Sequence, residues 1–156
     1  MVQAADEFEH FVHAQSAVYD RARSELAQGR KRSHWMWFIF PQVKGLGYSS
    51  MSQRFSIDSL DQARQYLAHS LLGPRLAECT DLVLRVQNRT VSEIFGHPDD
   101  LKLRSSLTLF ALCSPPNSVF AQALDKYFSG EPDPKTLELL GLSMEDWNRT
   151  AHPGQR

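Results

Sequence analysis

Between Asp6 and Gln28 the apolar residues Phe8, Phe11, Val12, Val18, Tyr19, Ala22 and Leu26 return at spacings of three, four and seven. That is the period of a helix with one buried face, and Gly29 supplies its C-terminal stop. Ser33 is placed to cap a short helix through Trp35 to Phe40, ended by Pro41, which disfavours helical backbone at the residue before it. A buried strand fits the same apolar run, because so short a stretch does not display its period. The following VKGLGYSS has two glycines and no period, and predicts a loop. Ser59 predicts a capped helix from Leu60 to His69. Gly73-Pro74 opens or interrupts a further helical stretch striped by Leu76, Leu82, Val83 and Val86. Thr90 to Glu93 reads TVSE, a capping box in which hydroxyl and carboxylate each satisfy an amide, and Gly96 closes that short helix. Pro98 then suits a first turn, and Asp99 and Asp100 suit the positive end of a helix running to about Cys113. Ser118 to Phe128 is amphipathic through Val119, Phe120, Ala123, Leu124 and Tyr127. Asp133-Pro134 caps Leu137 to Leu140, and Ser143 caps a last turn carrying Trp147.

No stretch alternates between hairpin dipeptides, so the pattern predicts an all-α fold without significant sheet. The expected architecture is a compact single-domain bundle of about seven to nine short helices, with a core over about 6–148 and a frayed polar tail at 149–156. Length and composition agree: 156 residues with 42% hydrophobic content suit one domain with a substantial core. Lys and Arg total 17 against 18 Asp and Glu, so the overall charge gives no attraction to nucleic acid or an anionic membrane. Affinity for an anion must come from local clustering. Cys79 and Cys113 form no CxxC pair and predict reduced, inert thiols in the cytoplasm. The acidic N-terminus lacks the apolar segment of a signal peptide, and the run Trp35 to Phe40 falls far short of the ~20 residues of a membrane span. A monomer or weak homodimer is expected, with no cofactor. His10 and His13 share a helix face, but no third ligand stands at a suitable spacing, so no metal is expected either. Signatures of phosphate loops, dinucleotide folds, zinc proteases and nucleophile elbows are missing.

Two stretches carry candidate chemistry. In RKRSHWMWFIFPQ, residues 30 to 42, three cations precede the amides of the helix expected at Ser33, where free N–H groups favour an anion. Trp35 and Trp37 are two apart, so on a helix they point about 200° from each other. One is expected in the core and the other free to stack on a planar ligand or a cation. The plain structural reading is that the aromatics are core on every side and the cations are a solvated rim. In HPDDLKLRSSLT, residues 97 to 108, Asp99, Lys102 and Ser106 share a face, and Lys102 lies one turn from Asp99 in the orientation that favours an ion pair. Structurally that is a self-satisfied cap. Chemically it offers a carboxylate, an ammonium and hydroxyls to a ribose or phosphate.

Taken together, GRKRSHWMWFIFPQVKGLGYSSMSQRFSI, LGPRLAEC and EIFGHPDDLKLRSSLTLFA resemble the mainly bacterial family catalogued as domain of unknown function 1810, sometimes labelled calpastatin, over about Phe8 to Leu140. The resemblance implies a compact helical domain and no established reaction. Its motif positions fall on Lys31, His34, Trp35, Trp37, Phe40, Pro41, Gln42, Gly45, Gly47 and Ser49, and then on Phe95, Gly96, Asp99, Lys102, Ser105 and Thr108. Polar Lys31, His34 and Gln42 beside aromatics exceed what a core needs, since buried polar groups cost energy unless paired.

The resulting expectation is a small cytosolic enzyme acting on a phosphorylated or nucleotide/ADP-ribose-like metabolite by glycosidic-type hydrolysis. Lys31 and Arg32 would bind phosphate, Trp35 or Trp37 would stack on a base, and His34 and Gln42 would hydrogen-bond it. Lys102 and Ser105 would add ligand contacts, and Asp99 with His34 would be catalytic. Such hydrolysis usually needs two carboxylates, and beside Asp99 only Asp100 or Glu93 is at hand. The alternative is a non-catalytic ligand- or protein-binding domain using the same aromatic and cationic cleft. Both require residues 31 to 49 and 95 to 108 to be neighbours in space.

Overall fold

The computed structural model describes residues 7–151, which form ten helices and no strand. They are α1 (Glu9–Ala27), α2 (Met36–Ile39), α3 (Ser50–Arg54), α4 (Leu60–Ala68), α5 (Leu72–Arg85), α6 (Val91–Phe95), α7 (Asp99–Ala111), α8 (Val119–Phe128), α9 (Pro134–Leu139) and α10 (Met144–Ala151). Most starts are where the side chains predict them. Ser59, Ser118 and Asp133 each accept the amide three residues on, and Thr90 and Glu93 form the reciprocal capping box. The Ser143 hydroxyl accepts the Asp146 amide at 3.1 Å.

Three local expectations are corrected. Ser33 is not a cap: α2 begins two residues later, with Trp35 at its N-cap and no side-chain cap bond, because the Ser33 hydroxyl is committed to Glu25. Helix α3 was not anticipated; Ser49 caps it by accepting the Ser52 amide at 3.1 Å. The helical backbone runs on to Ala151, three residues into the stretch expected as a polar tail. The rest of that tail, and Asp6 at the other end, lie outside the described residues.

Helix α5 packs against α1, α4 and α8, while α7 packs against α4, α6, α8 and α9, and the buried apolar side chains form one cluster. Phe8, Phe11, Tyr66 and Phe110 meet edge-on or tilted within it. The α4–α5 corner is tight enough to demand glycine, since a Cβ at Gly73 would lie 2.0 Å from the Leu67 carbonyl oxygen. Buried Gln15 reaches from α1 to the Phe38 carbonyl at 2.7 Å, holding α2 against the bundle. Beyond α2, Lys44 N–H donates to the Ile57 carbonyl at 2.8 Å and Ile57 N–H to the Gln42 carbonyl at 2.9 Å. This single parallel bridge closes the loop that carries α3 and fixes the backbone of Gln42.

Among the described residues no helix is long and apolar enough to cross a membrane. Cys79 is buried and Cys113 half-buried, both unbridged. Burial pushes their thiols up to about 12 and about 11, so neither is a ready thiolate.

Candidate functional site

The anion expected before α2 is supplied by the protein itself. Glu25, in the last turns of α1, accepts the amides of Arg32 at 2.8 Å and Ser33 at 3.0 Å, the Trp35 indole N–H at 2.8 Å, and the Ser33 hydroxyl. Burial alone would raise its carboxyl. The Ser33 hydroxyl, the two amides and the indole outweigh that and hold it at about 2. Glu25 is therefore an anchor for the 32–35 segment and no proton donor.

Next to it runs a series of alternating charges and rings. Lys31 Nζ donates to the Ser33 carbonyl at 2.7 Å and pairs with Asp99 Oδ2 at 2.9 Å, 5.1 Å from the centroid of the Trp35 ring. The other Asp99 oxygen lies 3.5 Å from Lys102 Nζ, which stands 4.8 Å from the centroid of Trp37. Asp99 thus ties together two ammonium groups, each set over an indole. The inner pair is well covered, with the Lys31 side chain 8% exposed. The peptide of Lys31 also donates to the Ile94 carbonyl at 2.7 Å, which seats the segment on α6.

The outer end of the series opens on a cleft of about 530 Å³ lined by residues of α2, the 42–49 loop, α3, Pro98 with the first half of α7, and Asp133 before α9. That volume is in the range of small-molecule sites. Trp37, Gln42, Tyr48, Ser49, Lys102, Arg104, Ser105 and Asp133 all face it. Arg104 is braced by bonds to the Glu131 and Pro132 carbonyls at 3.1 and 2.9 Å. The Asp133 bonds from Ser105 Oγ at 3.1 Å, Thr136 N–H at 3.0 Å and Thr136 Oγ1 at 2.6 Å all fall on Oδ2. The cleft therefore offers a planar aromatic wall, an ammonium held in place by Asp99, and hydroxyl, amide and carboxylate groups on a braced frame.

The two stretches singled out in the sequence do meet, but not every residue of them reaches the cleft. Trp37, Gln42, Lys102 and Ser105 line it. Trp35 is fully buried, so it is core and no ligand platform. Lys31 lines a separate cavity of about 430 Å³ with Arg30 and Arg89, its ammonium spent on Asp99 and Ser33. The amide of Arg32 goes to Glu25, and its exposed guanidinium reaches Gln28 at 3.2 Å. His34 is exposed and lines neither cavity, so the geometry gives no support to the catalytic or base-binding role expected of it. Asp99 sits behind Lys102, both oxygens taken by ammonium groups. Asp100 is not a second catalytic carboxylate: it is buried, accepting the Ser92 hydroxyl at 2.8 Å and its neighbour's amide. Glu93 is occupied by the capping box. Ser106, grouped with Asp99 and Lys102 by spacing, is buried in the core with its hydroxyl unpartnered. The sequence missed Tyr48, Arg104 and Asp133. Only Asp133 carried a signal, and that signal was its role as a helix cap. Among the described residues no group of three or more His, Cys, Asp or Glu is arranged to hold a metal ion.

Comparison with known proteins agrees with this architecture. The crystal structure of the conserved hypothetical protein Rv1873 from Mycobacterium tuberculosis matches with a TM-score of 0.85 and 52% identity, over 88% of this chain and 98% of that one. No curated protein matches. The family model described as "Protein of unknown function (DUF1810)" matches residues 5–140, so the chain belongs to that family.

Proposed function

We propose that the protein binds a small metabolite bearing a planar ring and one anionic group, of the mononucleotide class, in the Trp37 cleft. The observation that carries this reading is the pairing of Trp37 with Lys102: an aromatic wall and an ammonium set 4.8 Å apart on the edge of a 530 Å³ cavity. Because Lys102 stands over one face of the indole, the base would stack on the other, with its phosphate near the ammonium. Gln42, Ser49 and Ser105 add donors and acceptors for ring edge and ribose. The local charge favours a single anion over a polyphosphate, because Asp99 and Asp133 offset much of what Lys102 and Arg104 bring. The setting is the cytosol, where unbridged thiols such as buried Cys79 and half-buried Cys113 stay reduced.

Hydrolysis of a glycosidic bond in the same cleft is the second reading. Its support is Asp133, a carboxylate on the cleft wall whose hydrogen bonds to Ser105 and Thr136 fall on Oδ2 and leave Oδ1 for a ligand. It ranks behind binding because the other candidate, Asp99, is clamped between two ammonium groups. The test is to incubate the purified protein with AMP, ADP-ribose and NAD, following melting temperature and chromatographic product together. Saturable stabilisation without product is expected, by the mass action of a ligand that binds only the folded state. Turnover abolished by Asp133→Asn would replace binding with hydrolysis, and no stabilisation by any of the three would overturn both.

A further inference from the structure

Tyr48 is 90% exposed, so its ring gains nothing from folding, yet it lines the same cleft as Trp37. The backbone beneath it is fastened. Gly45 has φ +106°, and a Cβ there would come within 3.1 Å of the Leu139 side chain. A Cβ on Gly47 would stand 2.4 Å from the Ser52 hydroxyl oxygen. The Tyr48 carbonyl accepts the Gln53 amide group at 3.0 Å, and Ser49 caps α3 immediately afterwards. A solvated aromatic ring on a backbone pressed down on both sides is presented, not merely left over.

We propose that Tyr48 is the second aromatic wall of the site, closing by side-chain rotation on a planar group stacked against Trp37. This rests on the ligand reading above and sharpens it. The recognised feature becomes a ring with two open faces, a heteroaromatic base, and a sugar phosphate without a base is excluded. The phenol hydroxyl is free to meet the polar edge of the base or solvent, so stacking carries the effect.

Titration calorimetry with AMP and with ribose 5-phosphate, on wild type, Tyr48→Ala, Tyr48→Phe and Trp37→Ala, tests it. Tyr48→Ala is expected to weaken AMP on the order of tenfold, the usual scale for losing one base-stacking ring, and Tyr48→Phe to keep wild-type affinity. Melting temperature should not move in either Tyr48 variant, since the ring is solvated. Ribose 5-phosphate should bind wild type and Tyr48→Ala equally poorly. If Tyr48→Ala binds AMP as tightly as wild type while Trp37→Ala loses it, the clamp is refuted and the ligand reading stands. If wild type itself binds no AMP, the ligand reading fails and takes the clamp with it.

Discussion

Glu25 occupies a position that the helical period assigns to an apolar side chain, three residues beyond Ala22 and directly before Leu26 on the buried face of α1. Gln15 does the same, one turn after Phe11 and one turn before Tyr19. A polar residue on an apolar stripe is the signal by which both could have been found, since a buried polar group must have partners. Glu25 has four, and they organise the 32–35 segment without any ligand. Because its folded carboxyl is depressed from 4.5 to about 2, its contribution is fully present above the unfolded value near 4.5 and is lost as pH falls through about 2. On that shift it contributes about 3 kcal/mol at neutral pH. Glu25→Gln should therefore lower urea stability by about 2–3 kcal/mol at pH 7, with the gap to wild type closing steadily between pH 5 and pH 2. A gap independent of pH would mean that the carboxylate charge is not what the segment requires.

Among elements, the helix starts were the most legible, because a cap is a local arrangement of a side chain and an amide three residues on. Thr90, Ser118 and Asp133 show this directly. Ser33 failed as a cap because a residue eight positions earlier claimed its hydroxyl and amide, a tertiary competition that spacing does not reveal. Helix α7 is the element that joins the two candidate stretches, through Asp99 in its first turn. Removing that carboxylate leaves the Lys31 ammonium, 8% exposed, without its countercharge. Asp99→Ala should accordingly cost about 3 kcal/mol in chemical denaturation, and replacing both partners with apolar residues, as in Lys31→Met with Asp99→Leu, should recover much of the loss. A double variant as unstable as the single one would show that Lys31 and Asp99 do not act as a pair.

At the scale of the molecule, the all-α class and the meeting of residues 31–49 with 95–108 were legible from period, capping and motif content. Which tryptophan faces solvent was not, because the two differ only in the direction each takes from one short helical turn. The structure buries Trp35 against Glu25 and Lys31 and turns Trp37 to the cleft. Tyr48 and Asp133 were out of reach for another reason: their places depend on a loop closed by one backbone bridge and on the docking of α9 against α7. The functional reading therefore depends on a ligand entering at Trp37 and nowhere else. The chain has three tryptophans, so a nitrogen-15 spectrum gives three indole signals to follow during an AMP titration. The Trp37 indole should shift, together with the amides of Ser49, Lys102 and Ser105, while the Trp35 and Trp147 indoles stay still. Shifts confined to Arg30, Arg89 and the α6 region, or no shifts at saturating AMP, would contradict a ligand site at Trp37.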